Sequence, residues 1–294
     1  MVLPQPGYTT FAEIDTRLLQ QNIQLLKKHA GNIALMAVIK ADAYGHGMTA
    51  IVPYLLAAGL NHFMVATLDE AVKLREYAPD ATILVASPPH PKNLPVYVAL
   101  QLDASITSAA IAEQVLAAKN ISGLSVHVKV DTGMNRLGLS QAVAPDTISQ
   151  LMQASSIRVA GIWSHLATAG DRDKTFARRQ IDAAYAVLDA FPMFDGYFHV
   201  GNSGTLLNLR DHIGRHPKEL IRLGGALLGI PASQRLARQF GLKPIMALKS
   251  RVIHINDLQP GESVSYGKTW TATSATRIAV IGAGYADGYP SALS

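Results

Sequence analysis

Cysteine is absent from the sequence, which excludes disulfides and thiolate metal centres and fits a reducing compartment. Charge is sparse, at 16% of 294 residues, and aromatic side chains are sparser, at 6% with only two tryptophans. The excess of five positive charges is scattered, without a Lys/Arg block or an array of basic and aromatic residues. Nucleic acid is therefore not an expected partner, whereas anionic small molecules are compatible with the balance. No apolar run is long enough to cross a bilayer. Met1-Val2-Leu3-Pro4-Gln5-Pro6-Gly7 offers no basic segment followed by an apolar one, so no signal peptide is expected. These absences suit a cytoplasmic protein with no membrane partner and no metal. What the chain has in quantity is apolar residues, 49% of the total, enough to bury the core of one large domain or two ordinary ones.

Strand-like and helix-like segments alternate. Asp15 is placed to cap a helix through Leu18, Leu19, Ile23, Leu25 and Leu26, closed by Gly31. Eight strand candidates follow: Ile33–Ile39, His62–Ala66, Thr82–Ala86, Ala104–Thr107, Leu124–Val130, Val159–Trp163, Tyr197–Val200 and Leu220–Leu223. Helical stretches lie between them, such as Met48–Ala58 before Gly59, Asp69–Tyr77 before Pro79, Ser108–Lys119 and Lys174–Phe191 before Pro192. This is the pattern of an α/β protein with a (β/α)8 TIM-type barrel, expected over residues 12–239. A doubly wound open sheet is the alternative, disfavoured by eight strands and by no Gly-x-Gly-x-x-Gly after the first. From about Phe240 the pattern turns to strands alone: Met246–Asn256, Val264–Tyr266, Thr269–Thr273 and Arg277–Ile281, with a turn at Gln259-Pro260-Gly261. Residues 240–294 thus read as the start of an all-β C-terminal domain, to which residues 1–11 could add a strand from the segment Tyr8–Ile14.

The chemistry-bearing residues fall where strands end, the rim on which barrel active sites are built. The buried-strand pattern Ile33–Ile39 stops on Lys40, and Tyr44, Gly45, His46 and Gly47 follow closely. A buried ammonium is costly, so a lysine there either reaches solvent or has work to do. His165 follows strand six, Asn202-Ser203-Gly204 follows strand seven, and Arg222-Leu223-Gly224-Gly225 closes strand eight. The last two loops carry the hydroxyl, the amide and the glycines that suit phosphate binding, although Asn-Ser-Gly by itself is more often a plain turn. In strand five, Ser125, His127, Lys129 and Asp131 share one face and three valines the other. Lys129 therefore points inward; a salt bridge to Asp131 or another acid is the simple expectation, and carbamylation with a pairing to Arg136 the alternative.

Five motifs in order resemble those of the alanine racemases. They are Ala37-Val38-Ile39-Lys40-Ala41-Asp42-Ala43-Tyr44-Gly45-His46-Gly47; His127 through Gly138, with Asp131-Thr132-Gly133-Met134-Asn135-Arg136; and Ser164-His165-Leu166-Ala167-Thr168-Ala169. His199-Val200-Gly201-Asn202-Ser203 joins Ile221-Arg222-Leu223-Gly224, and the last block is Gln259 to Gly267 together with Gly284-Tyr285-Ala286-Asp287-Gly288-Tyr289. The resemblance implies pyridoxal 5′-phosphate in Schiff-base linkage to Lys40, which also serves the D-enantiomer as base. It implies Tyr266 as the base for the L-enantiomer, reaching the site from the other subunit of a head-to-tail homodimer with shared active sites. His165 would link that tyrosine to Arg222, and Arg222 would face the pyridine nitrogen. Tyr44, Asn202, Ser203, Gly224 and Gly225 match the cofactor's phosphate surroundings. Arg136 would serve the substrate carboxylate and Tyr285 the substrate entrance. The implied reaction interconverts L- and D-alanine, supplying D-alanine for peptidoglycan; the alternatives are a broad-specificity amino-acid racemase, or a cofactor-binding barrel with little turnover. Three positions depart from the family pattern: Asn135 for glycine, Leu228 for tyrosine and Ser291 for arginine. The resemblance also implies a β-domain running past Ser294, with a Met-Asp segment near the substrate and a late tyrosine on the phosphate, so the chain reads as cut short there.

Overall fold

The computed structural model describes residues 9–231, 233–290 and 292. The segment Met1–Gly7, Tyr8, Ser291 and Ser294, on which some of the expectations above fall, lie outside the described residues. The chain divides into two compact units: Asp15–Ile245 is one, and the segments up to Ile14 and from Met246 form the other.

In the larger unit eight parallel strands follow one another around a barrel: Ala34–Val38, His62–Val65, Thr82–Val85, Asp103–Ile106, Leu124–Asp131, Ile157–Trp163, Tyr197–His199 and Leu220–Leu223. The eighth pairs with the first, Leu220 beside Ala34 and Leu223 beside Ala37. Between the seventh and eighth the ladder thins to two bridges, Phe198 to Glu219 and Asn202 to Arg222. The α/β barrel and its eight strands are as the hydrophobic pattern predicts.

Local chemistry accounts for the helix ends. Asp15 Oδ1 accepts from the backbone N–H of Arg17 at 2.9 Å and of Leu18 at 3.1 Å, and the helix Thr16–Ala30 stops at Gly31 with φ of 65°; only a residue without Cβ takes that conformation freely. Thr67 and Glu70 form a capping box on Leu68–Tyr77, and Ser108 caps Ala109–Leu116. Beyond the helical stretches named from the sequence, the described residues also form helices at Leu94–Ala99, Ala144–Gln153, Ser203–Asn208 and Gln234–Phe240. The first two carry Pro95 and Pro145 in the first turn, where proline starts a helix rather than breaking it.

The smaller unit is made of antiparallel pairs. Thr10–Ile14 lies along Met246–Ser250, as expected for the opening segment. Met246–Asn256, expected as one strand, is two: Met246–Ser250 and Val252–Leu258, which take different partners. The second pairs with Thr276–Ile281, and Ser263–Val264 with Trp270–Thr271. Tyr266 lies after the strand, in the short 3-10 turn Tyr266–Lys268. Among the described residues no helix is long and apolar enough to cross a membrane.

Candidate active site

Directly after the first barrel strand the backbone winds left-handed. Ala41, Asp42, Ala43 and Tyr44 have φ from 51° to 55°, a conformation costing about 1–2 kcal/mol for each residue that carries a Cβ. Specific bonds hold the turn. Asp42 Oδ1 accepts from Met48 N–H at 2.8 Å, Glu70 Oε1 accepts from Ala41 N–H at 2.6 Å, and Ala43 is fully buried. The other oxygen of Glu70 accepts from Ala66 and Thr67 N–H at 2.7 and 3.2 Å. Glu70 thus ties the turn to the end of the second strand. Backbone strain so thoroughly braced marks a functional position. It sets Lys40 at the rim with Nζ 6.0 Å from the centre of the Tyr44 ring.

One cavity of about 510 Å³ opens at this rim. Lys40, Tyr44, Arg136 and His165 line it, and so do Asn202, Ser203, Arg222, Gly224 and Gly225. Nine residues singled out in the sequence are therefore gathered by the barrel into one place. Tyr266 and Tyr285 belong to the smaller unit, where they are 95% and 84% exposed.

Each wall has its own support. Asp131 Oδ1 gathers the N–H groups of Gly133, Met134 and Asn135 at 2.9–3.1 Å, shaping the loop that delivers Arg136. Asn135 has φ of 56°, which asparagine tolerates better than most residues. Gln180 holds the loop after strand six from both sides, accepting from Ala167 N–H at 2.9 Å and donating to the His165 carbonyl at 3.3 Å. Asn202 and Thr205 cap each other at the start of Ser203–Asn208, and the Ser203 hydroxyl accepts from Gly224 N–H at 3.3 Å. A Cβ at Gly224 would come within 2.6 Å of the Tyr44 hydroxyl. The two loops and Tyr44 thus leave a small polar recess that any side chain at 224 would fill.

The floor is cationic. Arg222 is buried and donates to the carbonyls of His199 and Ser164, to His199 Nδ1 at 2.9 Å and to His165 Nδ1 at 3.1 Å. Its Nε–H makes no hydrogen bond within the described residues. Burial, reinforced by Arg222, Arg136, Lys129 and Lys40, pushes the His165 imidazolium down to about 3, so His165 is neutral across the physiological range. Because Nδ1 accepts from a guanidinium, its single proton sits on Nε2.

Lys129 is buried beneath the cavity, donating to the Leu137 carbonyl and standing 5.2 Å over the Trp163 ring. The expected pairing with Asp131 is not formed as an ion pair: that carboxylate is spent on its own loop. Burial lowers the ammonium to about 8, against the pull of Asp131 and with help from Arg136 and Arg222.

Sequence reasoning passed over Trp163 and Glu70. Trp163 stacks on His199 with ring centres 5.6 Å apart and stands under Arg222 at 5.0 Å. Its signal was parity, since it shares the inward face of its strand with Gly161. Glu70 was legible only as half of a capping box.

The model of the family described as "Alanine racemase, N-terminal domain" matches residues 14–231, and that described as "Alanine racemase, C-terminal domain" matches residues 245–294. The alanine racemase of Halothermothrix orenii is 33% identical over 291 residues, covering 97% of this chain and 76% of its own. That of Mycolicibacterium vanbaalenii is 37% identical over 303 residues, covering 99% of this chain and 75% of its own. Among solved structures, the alanine racemase from E. faecalis superposes with a TM-score of 0.90 at 31% identity, covering 98% of this chain and 78% of that one.

Proposed function

The chain belongs to the alanine racemase family, an isomerase family interconverting L- and D-alanine, and on that premise we propose that Lys40 and Tyr266 are its two proton-transferring bases around pyridoxal 5′-phosphate. The observation that carries the reading is the meeting of Lys40, the 203/224 recess and Arg222 around one cavity. The residues fit the cofactor's three demands. A lysine stands at the rim for covalent attachment. The Ser203 hydroxyl, the N–H groups at Gly224 and Gly225 and the Tyr44 hydroxyl suit a phosphate, in a recess that a Cβ at 224 would fill. Arg222 offers a donor for a ring nitrogen. When bound, the cofactor supplies the electron-withdrawing ring that makes an amino acid's α-hydrogen removable.

The chain's own groups do the rest. Lys40 Nζ exchanges a proton on one face of the substrate and the Tyr266 hydroxyl on the other. Arg222, as a guanidinium, donates a hydrogen bond without surrendering its proton, which moderates the electron withdrawal and restrains side reactions. His165, neutral and with no hydrogen-bond partner on Nε2–H among the described residues, is a donor that lowers the cost of a phenolate and so helps a tyrosine of ordinary pKa near 10 to act as a base. Arg136 meets the substrate carboxylate, and Tyr285 stands at the substrate entrance. Tyr266 reaches the cavity from the second subunit of a head-to-tail homodimer. The product D-alanine serves peptidoglycan synthesis, inside the cell.

Reduction of cofactor-loaded protein with borohydride, followed by peptide mapping, tests the reading. The label is expected on the peptide containing Lys40, with loss of absorbance and racemisation in Lys40→Ala. Label on another lysine would refute it.

A further inference from the structure

A line of polar side chains runs through the interior of the barrel from its floor to the cavity. Asp103 opens the fourth strand, His127 lies within the fifth, His199 ends the seventh and Arg222 sits on the eighth. Asp103 Oδ2 is 3.3 Å from His127 Nε2, and His127 Nδ1 is 2.8 Å from His199 Nε2. His199 Nδ1 is 2.9 Å from Arg222 Nη1, whose Nη2 is 3.1 Å from His165 Nδ1. The four interior residues are buried.

The protons in this line have only one arrangement. A guanidinium donates and never accepts, so His199 Nδ1 must be an acceptor. Burial and the charge of Arg222 keep His199 neutral, and its one proton is then on Nε2, donated to His127 Nδ1. His127 must in turn carry its proton on Nε2. The acceptor nearest that proton is Asp103 Oδ2, at an ion-pair distance of 3.3 Å that falls short of hydrogen-bond geometry, and Nε2 has no hydrogen-bond partner among the described residues. Burial pushes the Asp103 carboxyl upward, but His127, Ser125 and Arg158 more than offset this and hold it below the usual carboxylate range, so it is the acceptor the line requires. The polarity set at Asp103 thus agrees with the one Arg222 imposes from the other end.

The fold makes room for this arrangement. Gly161 stands beside His127 in the neighbouring strand, and a Cβ there would lie 2.2 Å from His127 Nδ1. The pairing register shifts at the same place, between Val126 and His127.

We infer that Asp103 and His127 are positioning residues for racemisation, fixing from the barrel floor the proton arrangement that holds Arg222 and presents the Nε2–H of His165 to the cavity. The inference rests on the reading of Arg222 and His165 as active-site groups. Without the carboxylate at 103 the buried Nε2–H of His127 faces no negative charge and no acceptor, which is costly. The line can then reverse only by moving the His199 proton onto Nδ1, against the donors of Arg222, so the hold on the guanidinium is lost.

The test is 15N NMR of the full chain labelled in its histidine rings, recorded without cofactor, alongside steady-state kinetics of the loaded enzyme. In the unaltered protein His127, His199 and His165 are each expected to carry one proton, on Nε2. A proton on Nδ1 of His199, or two protons on that ring, overturns the inference whatever any variant does. Asp103→Leu is expected to disturb the His127 and His199 signals and to lower kcat by about tenfold or more, the loss of a hydrogen bond to a charged group, with KM changing less. Asp103→Asn, which keeps a carbonyl acceptor, is expected to retain the proton pattern and most of kcat. Unchanged signals and kcat in folded Asp103→Leu overturn the inference. Should Asp103→Leu fail to fold, His127→Gln takes its place, and unchanged His199 signals and kcat in that variant overturn the inference. Arg222→Lys separates the two readings: full activity there refutes the active-site assignment itself, while the histidine protonation pattern of the parent stands apart from it.

Discussion

Gly161→Ala puts one methyl group where the barrel has no room for it. The added Cβ would lie 2.2 Å from Nδ1, 2.5 Å from Cε1 and 2.8 Å from Cγ of His127. These are ring atoms of a fully buried imidazole, not the loose end of a long side chain, so relief requires the ring or the two strands to move by about 1 Å to restore ordinary contact. A shift of that size breaks the 2.8 Å bond to His199. Overpacking costs about 1–3 kcal/mol, and an unmade buried hydrogen bond about 1–3 kcal/mol more. Against a total stability of about 5–15 kcal/mol, this should lower the Tm by on the order of 10 °C in a chain of this size. Thermal melts followed by circular dichroism read the effect. The double variant Gly161→Ala with His127→Ala removes the obstructing ring, so it should be more stable than the two single losses predict when added, with a coupling of about 0.5–3 kcal/mol. A Gly161→Ala melt indistinguishable from the parent would show that the strands absorb the methyl freely and that the ring is not held as described.

Three further outcomes follow from the same geometry. The neutral His165 imidazole stabilises the fold fully above the unfolded histidine value of 6.5, and that contribution drains away as pH falls toward about 3, because the unfolded chain takes up the proton first. Stability measured by urea unfolding should therefore fall between pH 7 and pH 5, and His165→Asn should flatten the slope by up to about 1.4 kcal/mol per pH unit; an unchanged slope would contradict the assignment. Glu70→Ala should loosen the left-handed turn by about 1–3 kcal/mol and weaken cofactor binding in an absorbance titration, with Glu70→Gln falling between; parent-like affinity in both would mean the turn holds itself. With Lys129 lowered to about 8 by burial, a fraction of its amine is free to react with carbon dioxide, so 13C-bicarbonate should give a protein-bound carbamate signal that Lys129→Arg lacks. A signal surviving in Lys129→Arg would assign the carbamate elsewhere.

The barrel was legible because each of its strands is a short apolar run bounded by turn residues, and because inward and outward faces alternate in the fifth strand. Lys40, His165, Ser203 and Arg222 were legible for the same reason: strand ends point to one rim, so position alone gathered them. What stayed hidden depends on long-range contact. The left-handed turn after Lys40 is written mostly in residues that do not favour it, Ala41, Ala43 and Tyr44, and exists because Asp42 and Glu70 pin it from two sides. The pairing of Lys129 with Asp131 looked natural from sequence, since the two lie side by side on one strand face. The loop Gly133–Asn135 outbids the lysine for that carboxylate with three aligned N–H donors. The Met246–Asn256 run reads as one strand because hydrophobic pattern carries no information on which partner each half will choose.

Lys40 and Tyr266, proposed as opposing bases in sites shared between two subunits, can be separated by complementation. Lys40→Ala and Tyr266→Phe should each abolish racemisation alone, measured as D-alanine formed from L-alanine in the presence of pyridoxal 5′-phosphate. Refolded together in equal amounts they should recover about one quarter of the parent activity, since random pairing makes half the dimers hybrids and each hybrid holds one intact site of two. Hybrid dimers that form and remain inactive would contradict shared sites with Lys40 and Tyr266 as their two bases.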